Sequence, residues 1–326
     1  MGECHRWRTH PAVSLRRYRL VAVVLAAAAE TGAQTRSLLD DVGQLKIRQR
    51  TEHYALAGTV PEARLAEYGR ALEYVYAEYA RGFEGLLAAP VPGRNPESGS
   101  NNPDQGTPAR PPPSTDRRFV VVVLDTPAQY EEFTRAYFAD RAEHTRGLFV
   151  AAAGLLVIRD EESAQETYEI LFHEAFHQFV DRYVPLAPVW LNEGLATYYG
   201  TARPTQSGLV FDRPRTDFFR LVSAAADARS LVPFEELIKA DAETFYARGA
   251  VEGIAADRAA LHYAQSYTLL VHLLKDPQGR EHLRGYVRKL AGARNAEEAR
   301  RITAELFPAG LLAAMVNDWL AMVRRS

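Results

Sequence analysis

Cysteine is nearly absent from the sequence. Cys4 is the only cysteine among 326 residues, so no intramolecular disulfide can form, and the body of the chain has no thiolate to act as a nucleophile or a metal ligand. Any metal site there must be built from His, Asp or Glu side chains.

The chain also lacks a large excess of charge of either sign. It has 39 Lys and Arg residues against 41 Asp and Glu residues, a formal net charge of -2. Residues 1–33 carry five arginines and two glutamates, a net of +3, which leaves -5 for the rest. Because nucleic-acid binding favours a concentrated basic face, we expect no nucleic-acid partner.

The N-terminal residues have the pattern of an export signal. Three arginines at positions 16–19 precede an apolar run at 20–29, which is too short to span a bilayer comfortably, and the small residues Thr31 and Ala33 follow. We therefore predict a signal peptide at 1–33 and an exported, periplasmic or extracellular protein. If the segment is not cleaved, it would serve as a membrane anchor.

Residues 34–89 are predicted to contribute a strand and a helix to the catalytic unit. The strand is expected within 45–57, and the helix is expected to run to Phe83 with Thr59 as its N-cap. Residues 90–116 are different, because they hold eight of the 18 prolines together with many Gly, Ser and Asn residues. Such a composition cannot bury a core, so we interpret this stretch as a disordered insertion.

Residues 117–215 are predicted to form an α+β catalytic core, and 216–326 a mostly helical C-terminal subdomain. Strands are expected at 119–124, 148–151 and 155–158, with Gly154 at the turn between the last two. Helices are expected at 126–137, with Thr126 as the N-cap, at 166–183 and at 192–199. Further helices are expected at 261–274, 282–290 and 311–323.

The residues that carry chemistry begin with the motif H-E-x-x-H at His173, Glu174 and His177. Residues four apart on a helix differ by about 40° in azimuth and about 6 Å in height, so both imidazoles can share one metal ion. Glu174 lies about 100° around the helix from His173, where its carboxylate can reach water beside the metal without being a ligand.

A catalytic zinc needs a third protein ligand and one open position. The segment W-L-N-E-G supplies Glu193, which is separated from His177 by fifteen residues. Pro185 and Pro188 would end the first helix and allow the chain to return Glu193 to the metal. We therefore predict one Zn²⁺ per chain, bound by His173, His177 and Glu193.

The pair H-E-x-x-H and W-L-N-E-G resembles the gluzincin metallopeptidases of the aminopeptidase N type, in which the glutamate of the second motif is the third zinc ligand. The overall layout is more similar to the peptidase-MA-like family of uncharacterised bacterial metalloproteases, from about Lys46 to the C-terminus. This resemblance implies a zincin-like metallopeptidase core, with a small mixed sheet and an active-site helix, followed by a helical C-terminal part.

The segment from His262 to Leu270 is similar to the gluzincin helix whose tyrosine donates a hydrogen bond to the tetrahedral intermediate. The register of that resemblance assigns this role to Tyr263, with Tyr267 one turn further on as the alternative. A phenol directed at a developing oxyanion is physically reasonable, although tyrosines on amphipathic helices are usually core residues.

Two departures from the aminopeptidase pattern favour an endopeptidase. The spacing to Glu193 is shorter than in those enzymes, and the segment G-x-M-E-N, whose glutamate binds a free amino terminus, is absent. We expect the strand at 155–158 to be the edge strand that pairs with an extended peptide.

The sequence thus predicts a zinc-dependent metallopeptidase acting on a peptide or protein, with Glu174 as general base and Tyr263 as oxyanion donor. The main alternative is a catalytically inactive zincin-like scaffold or binding protein at the cell envelope. A zinc hydrolase of a non-peptide amide or ester is a third possibility. The other histidines considered are expected to have structural or surface roles: His144, His262, His272 and His282.

Overall fold

The structure, a computed structural model, describes residues 46–83, 118–138 and 145–326. The predicted signal peptide at 1–33 and the predicted insertion at 90–116 lie outside these residues, as does His144. Within them the fold combines α and β structure around a five-stranded mixed sheet, in agreement with the predicted α+β class.

The strands of this sheet run in the order β1-β2-β3-β5-β4. Their bounds are Gln49–Arg50 (β1), Tyr54–Gly58 (β2), Phe119–Leu124 (β3), Gly147–Val150 (β4) and Leu155–Arg159 (β5). The three central strands are parallel to one another, and β1 and β4 pair with them antiparallel. The apolar run of β3 is accordingly buried on both faces of the sheet.

Two predictions about the strands are wrong. The single strand expected within 45–57 is a two-strand hairpin, because the chain turns at Thr51, whose N–H donates to Tyr54 O at 2.9 Å. The strand expected at the sheet edge, β5, lies between β3 and β4, so the edge strand is β4. The turn at Gly154 is confirmed, with a φ of 63°.

The first four described helices are α1 (Glu62–Gly82), α2 (Pro127–Phe138), α3 (Ala164–Tyr183) and α4 (Val189–Gly200). A small second sheet follows, with strands β6 (Arg203–Thr205) and β7 (Gly208–Val210). The remaining helices are α5 (Thr216–Asp227), α6 (Phe234–Leu237), α7 (Ala242–Tyr246), α8 (Arg258–Leu274), α9 (Pro277–Ala291), α10 (Ala296–Leu306) and α11 (Ala309–Val323).

The predicted N-cap of α1 is wrong, whereas that of α2 is confirmed. Helix α1 starts after Pro61 without a side-chain cap. Thr59 is engaged elsewhere, because its hydroxyl donates to Gln129 Oε1 at 2.6 Å and accepts the N–H of Asp125. Thr126 accepts the N–H of Gln129 at 3.2 Å, as expected for a cap.

Helices α1 and α3 pack on one face of the main sheet, and α2 packs on the other. Helices α4 and α8 cross closely at Gly194, where a Cβ atom would lie 2.5 Å from Leu270 Cδ1 and 3.0 Å from Ser266 O. This close approach requires glycine at the residue that follows Glu193. No single helix in the described residues is long and apolar enough to cross a membrane. Helices α10 and α11, which are bent by 62° at the break between them, would be long and apolar enough only as a pair.

Candidate metal centre

Helix α3 is fixed against the sheet by hydrogen bonds that hold its two histidines in place. The buried Gln178 side chain donates to Val120 O at 2.9 Å and to Gly154 O at 3.1 Å. On the opposite side, Tyr79 donates to Phe172 O at 2.7 Å. The rings of His173 and His177 project from one face of this helix, with their centroids 4.8 Å apart.

Helix α4 returns the third residue to this face. Pro188 ends the connection and precedes the first residue of α4, and Glu193 follows one turn later. Glu193 Oε2 lies 3.4 Å from His173 Nε2 and 3.7 Å from His177 Nε2. All three side chains are buried, with exposed fractions of 0 to 3%.

The atoms that face one another in this group have no other partner. His173 Nε2, His177 Nε2 and Glu193 Oε2 make no hydrogen bond to the described residues, although each is buried. Buried polar atoms without partners are costly, and a cation in the space that these three face would be a partner for all of them. The group could therefore hold a metal ion, and it is the one such group of His, Cys, Asp or Glu found in the described residues.

Burial sets the protonation of the two histidines. It lowers the pKa of His173 from 6.5 to about 3 and that of His177 to about 4, the latter against the opposing charge of Glu193. Both imidazoles are therefore neutral at pH 7, which leaves each Nε2 lone pair available to a metal. The side chain of Asn192 lies 3.0 Å from His177 through its Oδ1, so it fixes Nδ1 as the protonated nitrogen of that ring.

The two buried glutamates of the site, Glu174 and Glu193, both have raised pKa values. Burial raises the pKa of Glu174 well above its usual range, and the charge of Glu193 raises it further. Burial likewise raises the pKa of Glu193, against the opposing effects of His177 and of two tyrosine hydrogen bonds. A cation between these carboxyl groups would stabilise both in their ionised form.

Two tyrosines contact Glu193, and only Tyr263 was predicted as a site residue. Tyr263 in α8 forms a side-chain hydrogen bond with Glu193, as does Tyr246 at the end of α7, whose hydroxyl donates to Oε1 at 2.5 Å. Tyr267 lies away from this group, because its hydroxyl accepts the backbone N–H of Arg215 at 3.1 Å. Tyr246 was missed because it belongs to a five-residue helix with no recognisable motif.

Glu174 faces β4, the outer strand of the main sheet in the part of the chain that the structure describes. The N–H of Arg159 bonds to Arg146 O at 3.0 Å, so the alternate residues Gly147 and Phe149 direct their backbone groups away from β5. The backbone of Phe149 hydrogen-bonds the Glu174 carboxylate, while Glu174 Oε2 has no partner among the described residues. The free edge of β4 and this carboxylate therefore adjoin each other.

A small, partly open cavity lies beside the candidate metal group. His173 and Tyr263 form one wall, and charged residues from α3 and the start of α5 form another, namely Glu169 and Arg215. The charge of Arg215 also contributes to lowering the pKa of His173. The cavity thus joins the candidate metal group to a polar pocket.

The remaining predicted histidines take no part in the centre. His262 contacts Phe245 O through Nδ1 at 2.8 Å, which is a structural role. His272 and His282 belong to no group in the described residues that could hold a metal. These observations agree with the roles expected for them.

Comparison of the chain with protein-family models and with curated proteins finds no match. The function must therefore be argued from the site itself. Two neutral imidazoles, a buried carboxylate, a second carboxyl group with a free oxygen and two phenols meet beside one cavity. Together they could hold a metal ion and move a proton next to it.

Proposed function

We propose that the protein is a zinc-dependent peptidase with a zincin-like core of the gluzincin type. The observation that carries this proposal is the convergence of the three unpartnered ligand atoms of His173, His177 and Glu193, with the free Oε2 of Glu174 nearby. The resemblance of H-E-x-x-H and W-L-N-E-G to gluzincins supports the same assignment.

The donor set and its spacing fit zinc. Ligand atoms at about 2.0 to 2.1 Å from a tetrahedral zinc lie about 3.3 Å apart. The distances from Glu193 Oε2 to the two imidazole nitrogens are 3.4 and 3.7 Å, close to that value before any ion draws them together. Two imidazoles and one carboxylate also leave one position open for water, as in catalytic zinc sites.

Zinc at this position would supply Lewis-acid activation of water and of a carbonyl group. Glu174 would take the proton of the attacking water on Oε2 and pass it to the leaving amine, while the Phe149 backbone holds the carboxylate in place. Tyr263, which lines the cavity beside His173, would donate its hydroxyl proton in a hydrogen bond to the developing oxyanion. Tyr267 is unsuited to that role because it does not line the cavity.

The edge strand supports a peptide as the substrate. The outward N–H and C=O of Gly147 and the outward C=O of Phe149, whose N–H is taken by Glu174, can pair with an extended chain, which would then pass over Glu174. Such pairing reads backbone rather than chain ends, so it favours an endopeptidase. Export through the predicted signal peptide at 1–33 is part of the same proposal.

Metal content and turnover of the purified chain test this function. Elemental analysis should give about one zinc per chain, and a His177→Ala variant should have lost it. The zinc-loaded chain should then cleave unfolded protein substrates such as casein, and a Glu174→Gln variant should not. No stoichiometric zinc in the folded protein would refute the proposal, whereas zinc without turnover of any peptide would favour the scaffold.

A further inference from the structure

The cavity beside His173 has walls of two kinds. Phe218 and Ala260 supply apolar surface, and Glu169 and Arg215 supply charge. Glu169 lies one helical turn before His173 on α3, so it shares the face that carries the metal ligands. A side chain of a bound substrate that entered this cavity would lie next to the metal group and meet Glu169.

Arg215 forms an ion pair with Asp217. Its Nε lies 3.1 Å from Asp217 Oδ1 and its Nη2 2.8 Å from Oδ2, which is a bidentate pair. Its guanidinium also stacks on the ring of Phe218, 4.1 Å from the centroid. The charge of Arg215 is therefore largely balanced by Asp217, which does not line the cavity.

The negative charge of Glu169 is only partly balanced by Arg215. Its Oε1 accepts a 3.1 Å hydrogen bond from Arg215 Nη1, but its Oε2 has no partner among the described residues, and the side chain is 28% exposed. One charge-assisted hydrogen-bonding position of this carboxylate is thus available to a molecule in the cavity.

The surrounding charges leave the cavity with a net negative charge. Arg215 pairs with two carboxylates, Glu169 and Asp217, so these three side chains together carry one more negative than positive charge. A bound divalent ion does not change this balance, because Glu193 and Glu174 would offset its two charges. One negative charge remains for a ligand to neutralise.

We propose that this cavity is a substrate subsite for a basic side chain, a lysine or an arginine next to the cleaved bond, and that Glu169 is the residue that selects it. The alkyl part of such a side chain would lie against Phe218 and Ala260, and its cationic end would meet Glu169 Oε2. An acidic side chain would instead place a third carboxylate beside Glu169 and Asp217. The inference rests on the proposed peptidase function.

Peptides that differ at one position test this selectivity. In the zinc-loaded chain, kcat/KM is compared for peptides carrying Lys, Met or Glu at the residue on either side of the cleaved bond. At one of these positions the Lys peptide should exceed the Met peptide by about tenfold or more, as expected for a charged hydrogen bond, and the Glu peptide should be the poorest. Equal rates for Lys and Met peptides, or a preference for Glu, would overturn the inference.

A pair of matched variants on α3 assigns the selectivity to one residue. Glu169→Gln should bring the Lys-to-Met ratio to about one. Glu166→Gln makes the same chemical change three residues away, at a side chain that pairs with Arg146 and does not line the cavity, and it should keep the ratio. A ratio that survives Glu169→Gln, or that is lost equally in both variants, contradicts the role of Glu169.

Direct binding separates this inference from the proposed function. Saturation-transfer NMR on the zinc-loaded chain should detect butylamine but not butanol, and Glu169→Gln should abolish the butylamine signal. If no peptide is cleaved but butylamine binds through Glu169, the peptidase proposal fails and the cation preference of the cavity stands. If butanol binds as well as butylamine, the cavity is not selective for cations and the inference fails.

Discussion

The hydroxyl of Tyr246 donates a 2.5 Å hydrogen bond to Glu193 Oε1, while Oε2 of the same carboxylate faces His173 and His177. One oxygen is therefore held by the protein and the other is presented to the metal position. An anchored ligand loses less freedom when it binds an ion, which makes Tyr246 a positioning residue for the third ligand.

Replacing this phenol should weaken metal binding. In Tyr246→Phe we expect zinc affinity to fall by about 10- to 100-fold, because partners of this kind orient the ligand and tune its charge. Competition for zinc with a chromogenic chelator measures this affinity. Tyr168→Phe is the matched control, because it removes a phenol that bonds Glu67 away from the site. Equal affinities in Tyr246→Phe and the unmodified chain would show that Glu193 does not need this bond.

A substitution of Glu174 should separate the loss of turnover from the loss of the metal. We expect Glu174→Gln to reduce kcat by about 10²- to 10⁴-fold, the usual contribution of a positioned base, and to leave zinc content near one per chain. The amide has nearly the same shape but cannot accept the proton. Single-turnover kinetics with metal analysis of the same sample provide the measurement. A variant that keeps its rate would rule out Glu174 as the base.

The edge strand can be displaced by a single methyl group. At Gly147 a Cβ atom would lie 2.4 Å from Ile170 Cγ2 and 3.0 Å from Glu174 Cγ, so β4 or Glu174 must shift. We expect Gly147→Ala to destabilise the fold by about 1 to 3 kcal/mol and to lower kcat while zinc still binds. Urea denaturation and turnover measure the two effects.

Gly285 provides the contrasting substitution. It lies inside α9, and a Cβ atom there would have no neighbour within 4 Å. Gly285→Ala should therefore stabilise the chain by about 0.5 to 1 kcal/mol, since alanine is the better helix former. If the two alanine variants had the same effect on turnover, close packing at Gly147 would not be important for Glu174.

The two buried histidines should destabilise the metal-free fold in mild acid. The histidines have lower pKa values in the folded chain, about 3 for His173 and about 4 for His177, than the 6.5 of an unperturbed histidine. The unfolded histidines therefore bind more protons below pH 6.5, and their contribution to the free energy of unfolding should fall as the pH drops from about 6.5 towards 4. The raised pKa values of Glu174 and Glu193 act in the opposite direction, so the histidine contribution is the difference between the unmodified chain and a histidine variant. Denaturation at several pH values, with His173→Ala for comparison, measures the slope, which should be shallower in the variant.

The sequence was most informative where the chemistry is local. His173 and His177 lie one turn apart on a helix whose apolar pattern was clear, and Glu193 follows after a short connection with two prolines. The structure brings all three together. Short-range periodicity was sufficient because only helix geometry and one turn were needed to bring the ligands together.

The sequence was least informative where partners are distant along the chain. Tyr246 and Arg215 reach the site through tertiary packing, and no motif marks either of them. The choice between β4 and β5 as the edge strand failed for a related reason. Either strand of this hairpin could have paired with β3, and only the tertiary fold places β5 inside. Thr59 had a suitable residue type for a cap, but a long-range contact with Gln129 prevailed.

The candidate ligands all come from the pair of helices α3 and α4, a short stretch of the chain. The entropic cost of closing a loop grows with the number of residues it encloses, so the three side chains can meet at little cost. The phenols of Tyr246 and Tyr263 come from later residues, and a growing polypeptide would expose the complete ligand set before either tyrosine is made. The three candidate ligands can therefore come together before the later helices have folded, and the two tyrosines would then enclose the site.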